Sequence, residues 1–185
     1  SLANAFNAGD VRAWYERVRK LDERVAAAQF VVEPKIDGLT VVLHYHNGQL
    51  VQGATRGDGE VGEDITTNLR TVRAIPLHIP VDPHGPPPPD KLVVRGEVFI
   101  NIRDFEALNQ RLQEAGERTY LNPRNTAAGS LRQLDAALTA QRPLTLLTYQ
   151  ILAADGLVPQ EQWALLQYLK DLGFPVTGEA VLCAD

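Results

Sequence analysis

The sequence of 185 residues contains one cysteine, Cys183. That excludes an internal disulfide and any zinc site built on several cysteines within the chain, and it fits a reducing compartment. An excess of positive charge is also missing: 18 Lys and Arg stand against 23 Asp and Glu, so bulk charge does not advertise a nucleic-acid partner. A local basic face is still compatible with that balance. No apolar run is long enough for a membrane span, and no stretch has the pattern of a signal peptide. There is no internal repeat, no P-loop and no Rossmann glycine motif. The chain opens on "SLANAF" with no initiator methionine and closes on "AVLCAD", from which we expect an excised piece of a longer protein. Its length suffices for one domain with a proper core.

What is present alternates between the two main periodicities. Val11, Trp14, Val18, Leu21 and Val25 predict an amphipathic helix over 10–28 with Asp10 as its N-cap. Its other face, with Arg12, Arg17, Arg19, Lys20 and Arg24, reads as solvated, with DNA contact as the alternative. "FVVEP", "LTVVLHYHN" and "QLVQGATR" read as strands, the last two joined by a turn at Asn47-Gly48. "GEDITTNLRTV" predicts a short helix, "AIPLHIP" an extended segment and "DPHGPPPPD" a stiff surface loop. A strand "KLVVRGEVFI" follows, then a helix with Asn101 as cap and Ile102, Phe105, Leu108 and Leu112 inward. "NPRNTAAGSLRQL" starts with a proline suited to a first helical turn. "PLTLLTYQIL" predicts a strand, "PQEQWALLQYLKDLGF" a helix and "PVTGEAVLC" an extended end. Hairpin-linked strands with helices at intervals point to an α+β fold with largely antiparallel sheets.

The unusual stretch is "VVEPKIDGLTVVL". In an extended chain Glu33, Lys35 and Asp37 share a face, opposite Val32, Pro34 and Ile36. Pro34 cannot donate to a ladder, so an edge or irregular strand end is expected. Gly38 permits a sharp turn or a close approach by a ligand. The trio is either a charged group on a solvated face or, given the apolar runs on both sides, the wall of a partly buried cleft. A desolvated lysine can lose its proton and become a nucleophile. His44 and His46 alternate like a metal pair but have no third ligand nearby, and read as surface residues.

Three further segments accompany Lys35-Ile36-Asp37-Gly38: "TRGDGEVGEDITTN" with Arg56, "VVRGEVFI" with Glu97, and "NPRNTAAGSLRQLD" with Arg124 and Arg132. Together with "SLANAF" they resemble the adenylation domain of bacterial NAD-dependent DNA ligases, within the covalent nucleotidyltransferases. The lysine motif is shared with ATP-dependent ligases and capping enzymes. The arginine-bearing motifs are more specific to the NAD-dependent family.

The resemblance implies a nucleotidyltransferase (ATP-grasp-like) α+β fold, its sheets flanked by helices, truncated at its C-terminal side. It implies that residues 1–185 are a partial adenylation domain. An N-terminal domain gripping nicotinamide would lie outside it, as would downstream OB, zinc, helix–hairpin–helix and BRCT domains, and two downstream lysine motifs. Lys35 would attack the α-phosphorus of NAD and expel nicotinamide mononucleotide. AMP would then pass to the 5′-phosphate of nicked double-stranded DNA, in replication and repair. Asp37 would sit near the nucleophile and ribose, and Glu33 against the adenine. Arg56 would lie near ribose and phosphate, the alternative being a surface arginine in a glycine-rich turn. Glu97 would read the ribose hydroxyls and help hold magnesium or manganese; a purely structural Glu97 would need a cationic partner such as Arg95. Arg124 and Arg132 would act on phosphates or DNA, or else bridge to Glu117 or Asp135. Tyr149 would stack on adenine, or be a core tyrosine. Ser1 and Leu2 would edge the adenosine pocket. Gly57, Gly59 and Gly62 could present amides to a phosphate or simply shape their turn. Zinc would belong only to the downstream module. A cytoplasmic bacterial location is implied, with no membrane and no obligate protein partner. Residues 1–185 alone would bind adenosine nucleotides weakly and would not seal nicks. The alternatives are an ATP-dependent ligase or capping-type enzyme, and a non-catalytic adenosine-binding module.

Overall fold

A computed structural model describes residues 4–59 and 61–183. Ser1 and Leu2, expected at the edge of the adenosine pocket, lie outside the described residues. Two compact units emerge, the first formed by residues 1–32 with 180–185, the second by Glu33–Glu179.

In the first unit the expected single helix is divided. Helix α1 spans Ala8–Leu21, and its N-cap is Asn7, whose side chain accepts from the Asp10 backbone N–H. Asp10 instead sits in the first turn and accepts from the Phe6 N–H at 2.9 Å. Asp22 then turns extended and caps a separate 3-10 turn over Glu23–Ala27 through a side-chain bond to the Arg24 N–H. An aspartate with a locally satisfiable side chain competes with helix continuation, and here it ends the helix before Val25. Trp14 and Tyr15 pack edge-on against Phe30. Phe30 belongs to β1 (Phe30–Val32), which pairs antiparallel with β6 (Val181–Cys183). The first expected strand therefore does not join the hairpin that follows it.

The second unit is built on an antiparallel sheet in the order β3-β2-β4-β5, comprising Gln49–Thr55, Leu39–His46, Lys91–Phe99 and Thr145–Ala154. β2 and β3 form the expected hairpin, with Asn47 and Gly48 both at positive φ, as a tight primed turn requires. Period-two alternation sends Val41, Leu43 and Tyr45 of β2, Leu92, Val94 and Val98 of β4, and Leu146 of β5 into the core. Leu69 of α2 (Thr66–Leu69), Ala127 and Leu131 of α4 (Pro123–Leu131), and Leu165 and Leu169 of α6 (Gln162–Asp171) join the same buried cluster. The opposite sheet face is left to Thr40, Arg95, Glu97 and Tyr149.

α3 (Ile102–Glu114) starts at Asn101, as expected, although the Asn101 side chain makes no capping bond. Only Leu108 of α3 is buried, and Ile102, expected inward, is 71% exposed. α4 carries Pro123 in its first turn, with Asn122 accepting from the Asn125 N–H. A further helix, α5 (Ala136–Ala140), is capped by Asp135. Asn68 ties α2 to it: the buried amide nitrogen donates to Gln133 O and Thr139 Oγ1, both at 2.8 Å. The Thr139 hydroxyl donates to Ser130 O and the Ser130 hydroxyl to Thr126 O, so a chain of polar groups locks α2, α5 and α4 together. No described helix is long and apolar enough to cross a membrane.

Candidate active site

Residues 33–38 are not a strand but an irregular segment leading into β2, in line with a proline that cannot donate to a ladder. Its anchor is Gly38. A Cβ there would collide with the Val98 carbonyl oxygen and the Phe99 side chain, so glycine is required by the approach of β4. Both backbone polar groups of Gly38 are held by side chains. Its N–H donates to Glu97 Oε1 at 3.1 Å, and its carbonyl accepts from Arg124 Nε at 3.1 Å. One glycine peptide thus links the sheet to the first turn of α4.

The segment before it is open to solvent. Lys35 Nζ lies 3.7 Å from Asp37 Oδ1, with the two side chains 74% and 63% exposed. Arg124 Nε approaches the same Asp37 oxygen at 3.5 Å. Lys35, Asp37 and Arg124 form an exposed row of alternating charge, which contributes orientation and little stability. Of the two readings of the trio, the 74% exposure of the Lys35 side chain fits the solvated face and not the desolvated cleft. Glu33 is half-buried. Its Oε1 accepts from Gln162 Nε2 at 2.8 Å, and the same nitrogen donates to the Tyr149 carbonyl at 3.1 Å.

Glu97 is 9% exposed. Its partner is not Arg95: Thr40 Oγ1 donates to Oε2 at 2.9 Å and the Gly38 N–H to Oε1. Thr40 stands directly opposite Glu97 in the β2–β4 register, which places hydroxyl against carboxylate. Arg95 reaches the other way, donating from Nη1 to Gln150 Oε1 at 3.0 Å, while its buried Nε has no partner among the described residues. Tyr149 completes the group. Burial raises its phenol above the usual tyrosine range; the Glu97 charge adds to this, and Thr40, Arg95 and Arg56 oppose it. Those influences put Tyr149 within electrostatic reach of Glu97, Arg95 and Arg56.

Arg56 follows β3, is exposed, and its backbone N–H donates to Thr40 O at 3.2 Å. The turn after it is held from within: Gly59 N–H donates to Arg56 O and Val61 N–H to Asp58 Oδ1. Gly57 and Gly59 take positive φ. The Gly59 amide is thus engaged inside the turn, which favours the turn-shaping role for it. Arg132 is the C-cap of α4 and pairs with Glu63 at 3.1 Å, rather than with Glu117 or Asp135. Arg124 and Arg132 therefore flank opposite ends of α4, one at the lysine segment and one at the glycine-rich turn.

Among the described residues no three His, Cys, Asp or Glu side chains converge on a common metal position. Both Glu97 oxygens already accept hydrogen bonds. His44 and His46 both lie on β2.

The structure brings Lys35, Asp37, Arg124, Gly38 and Glu97 into one connected chain of contacts, sets Glu97 and Arg56 each within electrostatic reach of Tyr149, and ties Glu33 to Tyr149 through Gln162. Sequence reasoning missed Thr40, Gln162 and Glu63. Thr40 was findable from strand parity; Gln162 and Glu63 act across sequence distances that no local pattern reveals.

The sequence model of the NAD-dependent DNA ligase adenylation domain matches residues 1–185. The chain is 55% identical to a DNA ligase of Chloroflexus aggregans over 95% of its length, covering 27% of that protein. It is 52% identical to a DNA ligase of Roseiflexus castenholzii, with 97% of the chain and 26% of the relative aligned. A DNA ligase of Thermomicrobium roseum is 50% identical over 99% of the chain and 26% of its own length. The chain spans about a quarter of the length of the curated relatives it matches.

Proposed function

This chain belongs to the NAD-dependent DNA ligase adenylation domain family, and on that footing we infer that Lys35 is the residue that becomes adenylated. Lys35 Nζ forms a bond to the α-phosphorus of NAD. The pyrophosphate P–O bond breaks, nicotinamide mononucleotide leaves, and the amine loses a proton. The AMP then passes to the 5′-phosphate of nicked DNA, and the neighbouring 3′-hydroxyl displaces it. Nick sealing of this kind serves replication and repair, and places the protein with bacterial DNA in the cytoplasm.

The observation that carries this reading is the exposed Lys35 beside Asp37, on a segment pinned at Gly38 by Glu97 and Arg124. A nucleophile needs access and a fixed approach, and this arrangement supplies both. Glu97 retains lone pairs beyond those used by Gly38 and Thr40, which suits acceptance from ribose hydroxyls. Arg56, Arg124 and Arg132 border the segment with guanidinium groups fit for phosphate oxygens. The half-buried Tyr149 offers a flat face for adenine. The fold is then a nucleotidyltransferase fold, and the missing length of the relatives would supply the nicotinamide grip, the further lysines and the DNA-binding domains. Magnesium or manganese would be carried on the phosphates, with Glu97 as the residue of this chain that would help hold it.

The test uses the intact protein carrying this chain, with NAD or ATP labelled in the adenylate. Peptide mapping should place one AMP on Lys35 from NAD and none from ATP. Labelling from ATP alone would move the reading to the ATP-dependent relatives of the motif. No adduct with either donor would leave an adenosine-binding module.

A further inference from the structure

Gln162 opens α6, yet its side chain does not serve the helix. The α6 N-cap position, Glu161, makes no side-chain capping bond, and Gln162 points away to bridge two other elements. Its amide nitrogen donates to Glu33 Oε1 at 2.8 Å and to the Tyr149 carbonyl at 3.1 Å. Both partners are acceptors, so the amide has only one workable orientation: the NH₂ faces them and both its hydrogens are used. One oxygen of Glu33 is thereby fixed. The other accepts no hydrogen bond among the described residues and is presented at the edge of the Tyr149 strand. Glu33 sits on an irregular segment with no ladder to orient it, so Gln162 is what sets its carboxylate relative to β5.

We propose that Gln162 is the positioning residue that makes Glu33 a reader of the purine 6-position, selecting a 6-amino over a 6-oxo base. The proposal rests on the reading above that Glu33 meets the adenine. A carboxylate oxygen accepts from the exocyclic amine of adenine, whereas the carbonyl of hypoxanthine or guanine would face it with like partial charge and no proton between them. Selection of this kind needs the carboxylate held, because a free side chain would rotate away from the mismatched base at little cost. Gln162 also ties the reader to the backbone of Tyr149, so the element meeting the base edge and the strand offering the stacking face move as one frame.

The experiment compares NAD with its 6-oxo analogue, nicotinamide hypoxanthine dinucleotide, as nucleotidyl donors to the intact protein, by initial rate of adduct formation. Gln162→Leu keeps the volume and removes both donors; it should lower the preference for NAD on the order of tenfold. Glu33→Gln gives the sharper result. With Gln162 in place, the new amide must turn its oxygen to the Gln162 donor and its NH₂ to the base, so preference should invert toward the 6-oxo donor. In the double variant that orientation is no longer enforced and the inversion should vanish. A Glu33→Gln protein that loses preference without inverting it, or a Gln162→Leu protein with the parent's ratio, overturns the role of Gln162 while leaving Glu33 at the adenine. A ratio unmoved in every variant overturns the placement of Glu33 itself. Should Gln162→Leu not fold, inversion against simple loss in Glu33→Gln still decides.

Discussion

Glu97 holds Gly38. The buried carboxylate on the central strand takes the backbone N–H of the glycine three residues past Lys35, at 3.1 Å. The lysine segment is therefore set by a side chain from another strand more than by its own conformation. Glu97→Leu should leave the Gly38 N–H and Thr40 hydroxyl unsatisfied and cost about 1–3 kcal/mol in urea unfolding. Glu97→Gln can still accept from Gly38 and donate to Thr40, so its loss should be less than half of that. Adenylation should fall in both, because only the charge is common to the two losses. Equal stability of the leucine variant and the parent would show that the bond contributes nothing.

Lys35→Ala should abolish charging with AMP while changing stability by less than about 0.5 kcal/mol, since the side chain is 74% exposed. Lys35→Arg should be equally inactive, because a guanidinium keeps its proton at any working pH. Mapping of the adduct to Lys20, Lys91 or Lys170 would place the nucleophile elsewhere.

Tyr149→Ala should weaken NAD binding by about 1–3 kcal/mol, and Tyr149→Phe should change it little, if the ring acts by stacking. The comparison is made by calorimetric titration. Equal loss in both variants would shift the role to the hydroxyl, which lies beside Thr40 and Glu97.

The Arg132–Glu63 pair, at 3.1 Å and half-exposed, should be worth under about 1 kcal/mol to the fold. Arg132→Ala should melt with the parent yet seal nicks at least about tenfold more slowly, as expected for a lost phosphate contact. Reversing both charges, with Arg132→Glu and Glu63→Arg, should restore the pair but not the sealing. Recovery of sealing by the reversal would make the pair itself the functional element.

Alkaline pH should unfold the protein through its buried phenols. Burial raises the Tyr45 phenol well above its ordinary value of 10.0. The folded chain then keeps a proton that the unfolded chain releases, so stability is intact below pH 10 and falls as pH climbs past it. For this group the slope is at most about 1.4 kcal/mol per pH unit. Tyr45→Phe should flatten the decline, with a loss at neutral pH of about 1 kcal/mol for the bond to Pro76 O. An unchanged slope in chemical denaturation between pH 9 and 11 would exclude Tyr45 as its source.

Local signals in the sequence were read well where chemistry is local. Asn47-Gly48 demanded a hairpin, Pro123 opened α4, and the apolar spacing in α6 matched its buried face of Leu165, Leu166 and Leu169. The break at Asp22 was overlooked because the apolar period runs on to Val25, while an aspartate cap acts over only two residues. Gly38 was read as a sharp turn or a close approach by a ligand, and the close approach is that of β4. Arg95 was offered, from same-face spacing along one strand, as the partner a purely structural Glu97 would need, but cross-strand neighbours are closer, and Thr40 and Gln150 take the two side chains instead.

The β1–β6 pairing sets a clock. Phe30 finds its partner Cys183 only after about 150 more residues have been made, on the order of 10–30 s at ribosomal speeds. In the folded chain the ring of Phe30 is covered edge-on by Trp14 and Tyr15, which precede it in sequence and so are made before it. A nascent chain stalled before Val181 would carry β1 as an unpaired edge, open to any extended peptide that reached it first.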